Sequence, residues 1–244
     1  MDVAFILTKT AELPSTEAVK AAALRYGLQL NAEPTPSGPP SSYEIAGVGQ
    51  LTLMPIPAPF PDLARAPKSP TSPTSEELAA ASAHFILTVL GFSGPPRQRD
   101  AKMAGVAAAV ATACNAIGIK LAHGVVFHKA GLYAELTAAA LDLADLAPET
   151  AIDITTTSEP RGRIGFLTHG LARYDRSELH ITASTEGRGA LGFVFDMIRW
   201  QLSTDVEVLP GHTVGRTAEE KLAVIRAPSP TGRGPEVLRI DLPE

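Results

Sequence analysis

The chain reads as an α+β protein with a mostly antiparallel sheet covered by helices on one face, and three observations lead there. Segments of apolar period two alternate with segments of helical period along 244 residues that are 45% hydrophobic, enough for a substantial core. The strands fall as hairpins and singles between helices rather than in strict βαβα succession, which favours antiparallel pairing. Phe5-Ile6-Leu7-Thr8 returns as Phe85-Ile86-Leu87-Thr88, each time before a Pro-containing turn and a helix. That is the pattern of an internal βα repeat, and of a duplicated ferredoxin-like arrangement. The expectation is a single domain over 1–244, or two subdomains, 1–78 and 79–244, joined by a Pro/Ser/Thr-rich loop at about 55–77.

Val3 to Thr8 is a short apolar run of β-enriched residues and predicts a buried strand. Ser15 as N-cap and Glu17 near the positive helix end start a helix whose inner stripe is Val19, Ala22, Ala23 and Tyr26, stopped by Gly27. Asn31 to Ser42 predicts loop, and Tyr43 to Pro55 strand. From Pro55 to Glu77 prolines remove ladder donors, so an extended start followed by a mobile loop is expected. A helix over Arg97–Ile117 places Met103, Val106, Ala107, Val110, Cys114 and Ile117 on one face. Gly118 ends it, and Lys120 to His128 predicts one strand. Leu132, Leu136, Ala139, Ala140 and Leu143 outline a helix ended by Pro148.

Alternation in Ala151 to Thr157 predicts a half-buried strand, with Arg161-Gly162 turning the chain into a second strand over Ile164–Leu171. Glu178 to Thr182 follows as a strand. Leu191, Val194, Phe195, Ile198 and Leu202 form the stripe of the last helix, and Leu222 to Ile225 pairs with Val237 to Leu242.

The formal net charge of −5 gives no excess of cations to neutralise phosphates, which argues against nucleic acid and anionic membranes as partners. The N-terminus lacks a basic region followed by a long apolar one, and no run of about eighteen apolar residues occurs. A lone cysteine, Cys114, fits a reducing compartment. A cytoplasmic location is therefore expected.

No motif carries chemistry cleanly. Gly187-Arg188-Gly189-Ala190-Leu191-Gly192 matches G-x-G-x-x-G between a strand and a helix, but Glu186 would repel a phosphate and no βαβαβ succession surrounds it. A glycine-rich helix start packed closely on the sheet is the favoured reading, and no cofactor is expected. The six histidines, 84, 123, 128, 169, 180 and 212, show no metal-ligand spacing. In one strand His123 and His128 would point to opposite faces, so no metal site is expected. Ser93 lacks a full nucleophile elbow, and Cys114 sits on an apolar stripe. The densest polar stretch runs from Thr168 to Glu178. There His169, Glu178 and Arg173 form a general acid/base inventory, against which a solvated turn through Tyr174-Asp175-Arg176-Ser177 is the favoured reading. Trp200 beside Arg199 on the last helix, off its main stripe with Met197, has the composition of a protein interface.

Two stretches, Thr168-His169-Gly170-Leu171-Ala172-Arg173-Tyr174 with Glu178-Leu179-His180-Ile181, and Gly211-His212-Thr213-Val214-Gly215 with Glu220-Lys221 and Ala227-Pro228-Ser229-Pro230, resemble the C-terminal half of the bacterial family catalogued as domain of unknown function 4261. The N-terminal half resembles it in pattern, through the opening strand, Met54-Pro55-Ile56-Pro57 and His84-Phe85-Ile86-Leu87-Thr88-Val89. The chain departs from the family's Gly after the aromatic, where Asp175 stands; Asp tolerates a left-handed turn. The resemblance implies a fold-level grouping and no assigned reaction. The functional expectation is a non-enzymatic bacterial module that binds another protein, an immunity or accessory factor of toxin or secretion systems, with Trp200 and Arg199 as anchors. The alternative is an enzyme on a small or peptidic substrate with His169 as acid/base, and a third reading is a homo-oligomeric structural protein.

Overall fold

The opening apolar run forms β1 (Asp2–Thr8). Ser15 caps α1 (Thr16–Leu24) by accepting from the Ala18 N–H at 3.2 Å, and Gly27 leaves the helix at φ 66°. The computed structural model describes residues 1–32, 41–47, 49–142, 146–184, 189–204 and 206–243. The chain divides into two compact units, 1–67 with 71–151, and 152–244 with 68–70.

In the first unit β1 and α1 are followed by β2 (Leu30–Ala32), β3 (Ser42–Ile45), β4 (Gly49–Ile56) and β5 (Ala83–Leu90), with α2 (Ser75–Ala79) between β4 and β5. The expected strand over 43–55 is thus a hairpin, β3–β4, turning at Ala46-Gly47. Then follow α3 (Pro96–Ala113), β6 (Gly118–Leu121), β7 (His128–Lys129), α4 (Ala130–Asp142) and α5 (Pro148–Ala151). The sheet runs β2-β3-β4-β5-β1-β6-β7 with every pairing antiparallel. Since β5 and β6 both run against β1, they run with each other, and α3 crosses over β1 between them as a split β-α-β unit. Strands on both sides of residue 78 share this sheet, so the boundary between units falls at Ala151/Ile152 and not at the Pro-rich loop.

The two Phe-Ile-Leu-Thr segments are antiparallel neighbours, with Phe5 opposite Ile86 and Ile6 opposite Phe85. Phe85 and Ile6 are buried among the residues of α1, α3 and α4, whereas Phe5 packs on the other face against Phe60. A duplicated βα unit would keep its side-chain phase; these tetrapeptides are in opposite phase.

The Pro/Ser/Thr-rich segment is ordered on that second face rather than a mobile loop. Phe60 meets Phe5 and Phe127 edge-on at 5.1 and 5.0 Å, and Leu63 is buried with Leu7 and Phe127. Thr74 and Glu77 close a reciprocal capping box on α2. Lys129 donates its N–H to the Thr71 carbonyl, and its ammonium pairs with Glu77 at 2.7 Å. Lys120 places its ammonium 5.4 Å from the ring centroids of Phe5 and Phe60 and 5.7 Å from that of Phe127.

Three other expectations change in detail. Asn115 at φ 50° ends α3 after Cys114, its C-cap, which still packs on the core as expected, so that only Ile117 drops off the helix face, because a left-handed residue turns the chain out of the helix. The run Lys120 to His128 is split by a turn in which the Gly124 N–H bonds the Leu121 carbonyl, so His123 and His128 do not share a strand. Pro148 starts α5 rather than only ending α4, since its missing N–H costs nothing in a first turn.

In the second unit β8 (Asp153–Ser158), β9 (Ile164–His169) and β10 (Leu179–Ala183) form a meander, followed by α6 (Ala190–Ser203), β11 (Thr213–Val214), β12 (Leu222–Ala227) and β13 (Val237–Asp241). The order is β11-β12-β13-β10-β9-β8, antiparallel except for the parallel seam β10–β13. α6 covers one face, burying Ala190, Phe193, Val194, Met197, Ile198 and Gln201 against Ile154, Phe166, Leu179, Ile181, Val224, Leu238 and Ile240. Met197 is therefore core, and Leu191, Phe195 and Leu202 pack at the margins of the stripe. The buried polar Gln201 hides this phase from the sequence pattern. Both units together bear out the α+β class with mostly antiparallel sheets.

Candidate functional site

Strand alternation decides which residues the second sheet carries on its face away from α6. With Ile154, Phe166, Leu179 and Ile181 turned toward α6, the residues between them turn away: Asp153, Thr155 and Thr157 from β8, Gly165, Leu167 and His169 from β9, His180 and Thr182 from β10, Arg239 and Asp241 from β13. The register sets them in rows: Asp153 opposite His169; Thr155, Leu167, His180 and Arg239 across four strands; Thr157, Gly165, Thr182 and Asp241 across the same four.

His169 shares a hydrogen bond with Thr155 Oγ1 at 2.8 Å through Nε2. Burial pushes its pKa down, partly opposed by the nearby carboxylates of Glu178 and Asp153. Glu178, the second expected catalytic residue, is engaged by the backbone. Its Oε1 accepts from the Gly170 N–H at 2.8 Å and the Ala172 N–H at 3.3 Å, and its Oε2 from the Thr168 hydroxyl at 2.6 Å. It thereby caps the 3₁₀ turn Leu171–Tyr174, which leaves through Asp175 in the left-handed conformation expected there. Arg173 lies half-buried within that turn. Arg176 spans from the turn to α6, donating to the carbonyls of Gln201 and Thr204. The segment is thus a hydrogen-bonded corner in which Glu178 serves the backbone.

A second cluster on the same face was not singled out by spacing. His180, 2% exposed, has Nε2 3.2 Å from both Glu159 Oε1 and Thr157 Oγ1. Thr157 donates its one hydroxyl proton to Glu159 at 2.9 Å, so Nε2 of His180 must carry the proton that Thr157 accepts. Glu159 Oε2 lies 3.8 Å from Arg239. Arg239 donates to Asp241 at 2.9 Å, Thr182 donates to the same oxygen at 2.6 Å, and Arg163 donates to Thr182 and to the Leu242 carbonyl at 2.8 Å. Burial pushes the His180 pKa down, partly offset by Glu159; Asp241 is pushed up by burial but held below its ordinary value by Thr182 and Arg239. Gly165 makes the space: a Cβ there would lie 2.2 Å from Thr157 Oγ1 and 2.4 Å from His180 Nε2. Glu159 and Arg239 are far apart in sequence and meet only through the parallel seam, which no local pattern announces.

On the helix side, a half-open cavity of about 440 Å³ lies between α6 and β11, lined by Phe193, Asp196, Met197, Trp200, Val214 and Arg216, among others. Trp200 is 38% exposed on its wall. Arg199 sits one position aside and pairs with Asp196 at 3.5 Å. Opposite, Arg216 clasps Glu220 with both its backbone and its guanidinium, which holds the Glu220 pKa down to about 2. Val214 is on β11, the terminal strand of the sheet, beside the cavity.

The remaining candidates stay apart from these. Gly187 and Arg188 lie outside the described residues. Gly189 caps α6, and a Cβ at Gly189 or Gly192 would meet nothing within 4 Å, so these glycines are not required by close packing. Ser93 is exposed in the loop after β5, and burial pushes the Cys114 thiol up to about 12. His84 and His128 bond Ala58 O and Thr71 Oγ1 within the first unit. Among the described residues no group of three His, Cys, Asp or Glu could hold a metal ion, and no helix is long and apolar enough to cross a membrane.

Comparison of the chain with family models, with curated proteins and with solved structures gives no match in any of the three. The resemblance to domain of unknown function 4261 accordingly rests on the residues quoted for it.

Proposed function

We propose that this protein is a non-enzymatic bacterial module that acts by binding another protein, in the manner of an immunity or accessory factor for toxin or secretion systems. The observation that carries the reading is the half-open cavity between α6 and β11 with Trp200 on its wall. An aromatic side chain set beside Asp196, Arg199 and Arg216 offers apolar area ringed by charge, the composition of interface centres. Two features lend support. The acidic balance disfavours phosphate-bearing partners, and Glu178, the carboxylate nearest to a catalytic pairing with His169, is consumed by capping. A cytoplasmic setting belongs to the same proposal and draws on the single cysteine. The Pro-rich segment packs on its own sheet through Phe60 and Leu63.

Affinity purification of the tagged protein at moderate salt, with identification of what copurifies, is the test. A stoichiometric partner that is retained by the wild type and lost from Trp200→Ala, with unfolding unchanged, supports the proposal. Recovery of the protein alone, or a partner indifferent to both Trp200→Ala and Arg199→Ala, removes it. The enzyme reading draws on one observation, the lowered pKa of His169, which keeps its imidazole neutral and able to accept a proton near pH 7. Turnover of a small or peptidic substrate abolished by His169→Gln would establish that reading instead.

A further inference from the structure

The cluster around His180 ties together three parts of the second sheet: the turn between β8 and β9, β10 and β13. Glu159 stands in the turn between β8 and β9, a turn that holds Arg161 at φ 62° and Gly162 at φ 70°. From there its carboxylate reaches back over the sheet, 8% exposed, to His180 on β10 and Arg239 on β13. Arg163, at the other end of the same turn, reaches Thr182 on β10 and the Leu242 carbonyl just past β13. The turn therefore straps the parallel seam β10–β13, through which the C-terminal hairpin β12–β13 pairs with the meander β8–β9–β10.

The charge balance of this strap depends on one proton. The groups that face His180 are Glu159, Arg239 and Asp241, with Thr157 as hydroxyl partner. Together with Arg163, two carboxylates balance two guanidiniums while His180 is neutral. Neutral His180 already satisfies Glu159 and Thr157 through its Nε2–H. A second proton must go to Nδ1, leaving one uncompensated positive charge on a ring that is 2% exposed. Hydrating that ring requires opening the packing around it, in which Glu159 of the turn and Thr157 hold Nε2.

We infer that the Glu159 turn is an acid-sensitive latch on the β10–β13 seam, held closed by neutral His180 and released when His180 takes up a second proton. This device is independent of the Trp200 cavity and of the protein-binding reading. In the open form His180 titrates as an ordinary histidine, while the closed form resists protonation. Opening then increases by up to about tenfold per pH unit as the pH falls below about 6.5, until the closed form itself protonates.

Amide hydrogen exchange of the full chain between pH 7.5 and 5, corrected for the intrinsic base-catalysed rate, tests this alongside ring titration of the histidines by NMR. Protection of residues 157–167 and 179–182 is expected to fall within the window where His180 titrates, with the first unit unchanged. His180→Gln keeps an N–H donor toward Glu159 but cannot titrate, and is expected to remove the pH dependence, whereas His169→Gln retains it. Should His180→Gln not fold, the wild-type ring titration decides alone. A His180 midpoint at or above 6.5 overturns the latch. So does protection that stays constant while His180 titrates, or that falls equally in His180→Gln.

Discussion

Arg176 closes the C-terminal end of α6 by donating from Nε to the Gln201 carbonyl at 3.1 Å, with Nη2 3.0 Å from the Thr204 carbonyl. The helix has no basic residue in its own last turn, so a side chain from the 3₁₀ corner supplies both the charge and the donors that its last carbonyls need. Arg176→Ala is expected to cost about 1.5 kcal/mol. Trp200 is the sole tryptophan and lies in this unit, so denaturant unfolding followed by its fluorescence reads the loss directly. An unchanged midpoint would deny the cap.

Glu178 makes a sharper comparison, because its two oxygens do different work. Gln keeps one carbonyl oxygen and can still accept from Gly170 and Ala172, while Ala leaves both N–H groups without that acceptor and the Thr168 hydroxyl with only its longer bond to the Leu179 carbonyl. Glu178→Ala is expected to lower stability by about 2 kcal/mol and Glu178→Gln by less than half of that. Equal losses in the two variants would show that charge, not backbone capping, is what matters there.

Gln201 runs the other way. It is fully buried on the core face of α6, and neither its amide oxygen nor its nitrogen has a hydrogen-bond partner among the described residues. Gln201→Met keeps the length and removes the stranded amide, so a gain of about 1 kcal/mol is expected in the same unfolding experiment. A loss would mean that the amide is solvated within the fold.

Both lowered histidines bear on stability in acid. His169 and His180 are disfavoured as imidazolium when folded, chiefly by burial. The unfolded chain thus binds more protons once the pH drops below the ordinary value near 6.5. Stability is expected to be full above about pH 7 and to decline through pH 6 toward the lowered folded values. Urea midpoints measured at half-unit steps check the sign: a rise on acidification from pH 7 to 5.5 would contradict it.

Cys114 offers a chemical check on the first unit. With its thiol pushed up to about 12 by burial, almost no thiolate exists at pH 8, and alkylation by iodoacetamide is expected to be at least tenfold slower than for the same chain in denaturant. Rapid labelling of the folded protein would place the sulfur in water.

Much of the architecture was legible because it is local. Arg161-Gly162 announces the β8–β9 turn, Ser15 the start of α1, and Asp175 a left-handed residue, each by conformational preference within a few positions. The Thr74-to-Glu77 capping box was equally local, but the prolines around it drew the reading toward loop. What stayed hidden depends on partners remote in sequence. Nothing near His180 indicates that Glu159 and Arg239 will meet it, since that requires the parallel seam. The identical Phe-Ile-Leu-Thr strings suggest kinship until pairing shows which way each faces. Likewise the phase of α6 is set by the sheet beneath it, which accepts Phe193, Met197 and Gln201 together.

The three phenyl rings gathered around Lys120 have a magnetic consequence. An alkyl-ammonium group held near the faces of Phe5, Phe60 and Phe127 sits in the shielding region of three aromatic ring currents at once. Its ε-methylene resonances are expected upfield of those of the other lysines, which would give the outer packing of the first unit a signature readable in a proton spectrum without any label.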